Sequence, residues 1–267
     1  MKTVRKRMII GMFIIIGIMV CSCGMKKNNS DESKDITLKS KPELVLNERQ
    51  KEILEEVGLP TDAEELDSSQ QEAIIAIDEM LTEIEKKYNT SFSYAGYIAP
   101  GPLEHEQLIA YPTEGSSRDT FTVTRGKENG KYVYEDEYMN VAIRKDFSSY
   151  MTDLARQVFK TEAVKVYAEV TETTLVEVPS EEKMYNGAVG SKNYIYIDSE
   201  YINQQDFQSY VDELEKMLYQ NELYGISEII LLKNDEIENL DEYNYSYYDI
   251  SDSYIEWKEI SVQRYES

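Results

Sequence analysis

Cysteine is nearly absent from this 267-residue chain: it occurs twice, as Cys21 and Cys23, and nowhere after them. From residue 24 onward no disulfide can staple the fold, and a thiol nucleophile or a cysteine metal site is excluded. Histidine occurs once, as His105, which removes Cys/His zinc patterns and any site built on two imidazoles. Cations are also scarce, with 28 Lys and Arg against 51 Asp and Glu. Phosphate backbones are held by clustered cations, so nucleic acid is excluded as a partner. A phosphate-cradling glycine loop, a Gly-x-Ser-x-Gly elbow and an EF-hand calcium loop are missing too. No cofactor is expected.

What is present begins with an address. Lys2, Arg5, Lys6 and Arg7 precede a charge-free apolar run over residues 8–20. That run falls short of the ~18 residues that cross a bilayer, so it reads as the core of a signal peptide over residues 1–22. Behind it stands Val20-Cys21-Ser22-Cys23-Gly24, which resembles the lipobox of bacterial lipoproteins. Cys23, with the small Ser22 before it, fits the lipidated position, whereas Cys21 would need a small residue where Val20 stands. The resemblance covers residues 1–24. It implies cleavage before Cys23, attachment of acyl chains such as palmitate there, and a home on the extracytoplasmic face of the cell membrane. Two chains, at about 0.8 kcal/mol per buried methylene, anchor a protein stably where one does not. The Lys, Ile, Asn and Tyr bias is similar to that of small acidic lipoproteins of low-GC Gram-positive bacteria. No characterised family is recognised in residues 45–267.

Removing the leader takes 4 of the 28 cations and none of the anions, which leaves a net charge of −27. Such a surface is well solvated and attracts cationic ligands, but it does not dictate a fold.

Residues 23–45 are polar and read as a tether holding the domain a few tens of ångströms from the lipid, at about 5–6 Å times the square root of its length. A helix is predicted from Asn47, which caps with Gln50, to Gly58, with Ile53, Leu54 and Val57 inward. A second is predicted from Ser68, paired with Gln71, with a core stripe of Ile74, Ile77, Leu81, Ile84 and Tyr88. From Ser91 the period becomes two, as in half-buried strands, and Asn129-Gly130 marks a hairpin with a loop longer than two residues.

Asp146-Phe-Ser-Ser-Tyr-Met-Thr-Asp-Leu154 is matched 60 residues later by Asp206-Phe-Gln-Ser-Tyr-Val-Asp-Glu-Leu214. Helices are predicted over 147–159 and 207–220, with Phe147, Leu154, Phe207 and Leu214 inward. Strand-like runs flank each, at 139–143 and 164–170 and at 194–197 and 226–232, which suggests two strand-helix-strand units. The expected class is α+β: two N-terminal helices with antiparallel or mixed sheet. Residues 46–178 form the first half or domain and residues 191–267 the second, with the boundary in 171–192.

Candidate site residues are few. His105 lies between Glu104 and Glu106, an arrangement that suits a proton switch or, more blandly, a solvated loop. Glu135, Asp136, Glu137, Asp249 and Asp252 supply carboxylates, but a catalytic pair is defined by separation across a cleft, which spacing along the chain does not give. Tyr243, Tyr245, Tyr247, Tyr248 and Tyr254 precede Trp257. Exposed, they form a platform for sugars or cationic side chains; alternating in strands, they are packing. The expected function is a non-enzymatic protein- or peptide-binding module of protective or immunity type, its partner a cationic protein or peptide bound through Tyr245, Tyr247, Trp257 or His105. The alternative is a carboxylate-dependent cell-envelope hydrolase.

Overall fold

Asn47 sets the first helix, α1 (Glu48–Glu56). Its side chain accepts from the Gln50 N–H and Gln50 accepts from the Asn47 N–H, both at 2.9 Å. The helix stops where Gly58, at φ +74°, donates to Glu55 O at 3.0 Å and Leu59 donates to Leu54 O at 2.8 Å. This is a Schellman turn. Ile53 and Leu54 are buried, but Val57, expected beside them, is exposed, because it is already the cap residue from which the chain leaves the helix. The second helix, α2 (Ser68–Tyr88), is capped by Asp67 with Gln70 and not by Ser68 with Gln71. Gln71 donates instead to Ala63 O and Leu66 O. The expected stripe is buried from Ile74 to Ile84.

The computed structural model describes residues 44–102, 105–246 and 252–264. The expected signal peptide, Cys23 and the expected tether up to residue 43 lie outside the described residues, as do Glu104, Tyr247, Tyr248 and Asp249.

Strands β1 (Phe92–Ile98), β2 (Glu106–Pro112), β3 (Phe121–Glu128) and β4 (Lys131–Asp136) form an antiparallel meander in that order. Asn129 and Gly130 both take positive φ between the paired Glu128 and Lys131, so the hairpin loop is two residues, shorter than expected. α1 and α2 cover one face, burying Leu54, Ile77, Met80 and Leu81 against Phe92, Leu108, Phe121 and Val123.

The chain then changes sheets. Residues 139–143, expected as a strand, fall in a short helix, α3 (Tyr138–Ala142), and its cap Ile143. Their apolar period of two over five residues also places Met139 and Ile143 four apart on one helical face, and those two are the buried ones, with Val141 only half-buried. α4 (Arg144–Phe159) leads into β5 (Val164–Thr173), and β6 (Val189–Asp198), α5 (Phe207–Gln220), β7 (Tyr224–Leu232) and β8 (Tyr254–Val262) complete the second sheet. Its order is β5-β6-β7-β8, parallel only between β6 and β7.

The two matched segments are therefore neighbouring helices on one face of this sheet, with Phe159 and Phe207 6.3 Å apart. Phe147, Leu154, Phe207 and Leu214 are buried. Among the described residues only β6-α5-β7 is a strand-helix-strand unit within one sheet. Residues 171–192 do not divide the molecule, since β5 and β6 pair along their length across them. The class is α+β, and among the described residues two α-helices precede the strands and three more are interleaved with them. Every buried apolar residue among the described ones lies between Leu46 and Val262. No helix among the described residues is long and apolar enough to cross a membrane.

Candidate functional site

Alternation along four adjacent strands fixes what the outer face of the second sheet presents, because directly paired residues share a face. One row across it reads Lys165, Tyr196, Ile230, Trp257; the next reads Tyr167, Tyr194, Glu228, Glu259; the third reads Glu169, Lys192, Ile226, Ser261. Over β5 and β6 this face is closed by the segment 233–246. Ile237 and Leu240 sit on Tyr194, Tyr196, Ile230 and Leu232, and Lys165 Nζ donates to the carbonyls of Ile237 and Leu240 at 2.9 and 3.2 Å.

Tyr245 belongs to that cover. Its ring stacks on Tyr167 at 4.7 Å and 6°, meets Tyr194 edge-on, and its hydroxyl donates to Glu169 at 2.9 Å. Burial, then the Glu169 carboxylate, raise its hydroxyl pKa above the usual range. The residue is packing, with its polar end satisfied.

Along β8, and at Ile226 near the start of β7, the face is open, whereas Glu228, Ile230 and Leu232 of β7 are buried. Trp257 is 44% exposed and Ile226 40%, and Tyr254 and Ile255 are exposed nearby. Glu228 and Glu259 stand directly opposite one another across β7 and β8, a like-charge arrangement that disfavours pairing unless a cation intervenes. Lys192 answers for one of them, at 2.9 Å from Glu228, where the Trp257 indole N–H also donates at 3.4 Å. The neighbouring Tyr194 hydroxyl and the Glu228 carboxylate hold Lys192 protonated above the ordinary lysine range. Glu259 is exposed and has no ion pair or hydrogen bond among the described residues. The arrangement is an indole surface flanked by carboxylates, one of them unneutralised. It can hold a cationic side chain by cation–π attraction and ion pairing together.

His105 does not join this face. It is exposed just before β2 in the first sheet, and its neighbour Glu106 turns into the core, where Arg125 Nε lies 2.5 Å from it and the Tyr97 hydroxyl donates to it. Of the two flanking carboxylates that made His105 a candidate, Glu106 is already engaged and Glu104 lies outside the described residues. Asp136 is likewise occupied, accepting from Lys87, the Tyr88 hydroxyl and the Tyr138 N–H. A separate polar cleft of about 210 Å³ between the sheets is lined by Glu137, Asn140, Arg144 and Glu169, among others. Its Arg144 pairs with Asp119. Among the described residues no group of three or more His, Asp or Glu is placed to hold a metal ion.

Glu228, Glu259, Lys192 and Ile226 went unnoticed in the sequence. Alternation through 226, 228, 230 and 232 puts Glu228 in phase with apolar residues, which marks it as unusual, but one strand does not reveal which face stays open.

No family model and no curated protein matches this chain. Among solved structures it is similar to a DUF5037 family protein from Ruminococcus gnavus, at 12% identity and a TM-score of 0.34, over 61% of this chain and 78% of that one. It is also similar to a candidate redox protein from Lactobacillus casei, at 12% identity and a TM-score of 0.21, over 55% and 96%.

The tyrosine cover has a pH signature. Burial, helped by Asp241 and Glu242, pushes the Tyr167 hydroxyl up to about 12. A group whose folded pKa exceeds its unfolded value, here about 10, contributes stability that is present below about pH 10 and lost as pH rises towards 12. The urea midpoint should therefore stay level from pH 7 to about 9 and fall above 10. Tyr167→Phe should flatten part of that fall; an unchanged slope in the variant would show the ring to be accessible.

Proposed function

We propose that this chain is a lipid-anchored extracytoplasmic lipoprotein of the cell membrane that binds a basic protein or peptide through the open part of its second sheet. The observation that carries the binding reading is Trp257, exposed beside the opposed Glu228 and Glu259, with Glu259 lacking a cationic partner among the described residues. The net charge of −27 left after the leader supports it by drawing cations to the surface from a distance. The lipobox-like segment supports the anchor, and the −27 domain would be repelled by anionic lipid, leaving its faces free for a partner.

Two measurements test this. Cys23→Ala should abolish incorporation of labelled fatty acid and Cys21→Ala should leave it intact; loss of label in the Cys21 variant alone would move the cleavage site. Trp257→Ala should weaken binding of a basic partner about tenfold at physiological salt, in the range of a desolvated cation–π contact. Recovery of basic proteins only at low salt, in proportion to their charge and indifferent to Trp257, would reduce the acidic surface to solvation.

A further inference from the structure

β8 is an edge strand of nine residues, Tyr254–Val262, with no neighbour on its outer side among the described residues. The backbone N–H and C=O groups on that side are a template for one more strand. Proteins guard such edges by keeping them short, by proline, or by charge. β8 exceeds the common length of about 5–6 residues and contains no proline. Of its three charges, Glu256 and Lys258 lie 3.0 Å apart and neutralise each other, which leaves Glu259 as a single negative charge that repels acidic strands and admits basic ones. Three of its first four residues, Tyr254, Ile255 and Trp257, expose large apolar side chains.

We infer that an extended basic segment of a partner protein adds to the second sheet as a fifth strand along β8, with lysine or arginine at every second position. This rests on the reading of the Trp257 face given above and specifies how that face is used. A strand laid beyond β8 extends each row by one residue, so side chains on the outer face fall beside Trp257 and Glu259 in turn. Cations at alternate positions then meet the indole and the unneutralised carboxylate, and the opposed Glu228 and Glu259 gain the counter-charge that their pairing lacks. A second copy of β8 is a poor occupant, since it would bring two further glutamates against one lysine to a chain that already carries net negative charge.

The test uses the full chain in a neutral detergent at physiological salt. The probe is a synthetic ten-residue peptide alternating lysine and threonine, blocked at both ends. It should bind about tenfold tighter than a peptide of the same composition with its lysines contiguous, because only alternation puts every cation on one face. Two further versions carry N-methyl groups on all lysine amides or on all threonine amides, which blocks one edge of the peptide or the other. One of the two should lose about tenfold and the other should bind like the parent, since an added strand uses a single edge. Equal behaviour of the two overturns strand addition. If the methylated pair behave alike while Trp257→Ala still weakens the parent peptide, the face stands and only the strand mode fails. Failure of the parent to bind, or indifference to Trp257→Ala, overturns both, and self-association through β8 in place of peptide binding overturns the basic occupant.

Discussion

Gly225→Ala should leave the chain unable to form its second sheet. Gly225 lies in β7 at φ +123°, a conformation that L side chains rarely adopt, directly paired with Ser191 of β6 in the parallel ladder. A Cβ built there would sit 1.8 Å from the Ser191 carbonyl oxygen and under 3 Å from two more backbone atoms of that residue. Backbone held between two neighbouring strands does not swing aside, so the strands must separate at the β6–β7 pairing, the only parallel one among the described residues. The expected cost exceeds about 4 kcal/mol, in the exceptional range for one substitution, against a total stability of about 5–15 kcal/mol. Gly58→Ala is the comparison. Gly58 also has positive φ, but nothing lies within 4 Å of the added carbon. It should cost only the left-handed strain, about 1–2 kcal/mol. Urea denaturation followed by circular dichroism reads both, and a Gly225→Ala protein with a near-normal midpoint would mean that the β6–β7 approach is looser than described.

Arg125→Met should cost about 3–5 kcal/mol, the price of stranding a buried carboxylate. Glu106 and Arg125 are cross-strand partners at the end of the first core, each side chain 8% exposed. Arg125 contacts Glu106 through two nitrogens at 2.5 and 2.8 Å, reaches Glu79 of α2 at 2.6 Å with the third, and lies 4.3 Å from the Tyr132 ring. Removing the guanidinium leaves Glu106 with the Tyr97 hydroxyl alone. Arg125→Lys should recover only part of the loss, because an ammonium cannot bridge both carboxylate oxygens and Glu79 at once. Glu106→Leu combined with Arg125→Met should recover most of it, since paired removal leaves no orphaned charge. Chemical denaturation of the three variants separates these outcomes; a double variant no better than Arg125→Met alone would place the energy in packing of the Arg125 stem.

Local chemistry made much of the fold legible. The Asn47 cap, the α2 stripe and the apolar phase of α4 and α5 each depend on residues within a turn or two, and those elements form close to the expected places. What misled was local ambiguity. Met139, Val141 and Ile143 satisfy a strand and a short helix equally, and only the passage between two sheets decides for the helix. Residues 171–192 carry Pro179, Gly187 and Gly190 and so resemble a boundary, but the pairing of β5 with β6 across them is non-local. The candidate site was legible at one residue. Trp257 was singled out as the sole tryptophan, but Glu228 and Glu259 lie 31 positions apart and meet through a register that no periodicity encodes. His105 stands out by its two flanking glutamates and Tyr245 by its cluster of tyrosines, but proximity along the chain does not reveal that Glu106 faces the core or that Tyr245 covers Tyr167.

The division of the cores also sets an order of assembly. The first core draws on residues 46–123, with support up to Val141, all joined by a meander of adjacent strands. The second runs from Met139 to Val262 and needs its last strand to close β7. A chain emerging N-terminus first therefore presents the antiparallel meander and its two covering helices while its second sheet is unfinished, and contacts close in sequence form fastest. The edge of β7 stays bare until β8 arrives. In that interval the excess of Asp and Glu over Lys and Arg along the chain opposes association with other nascent chains.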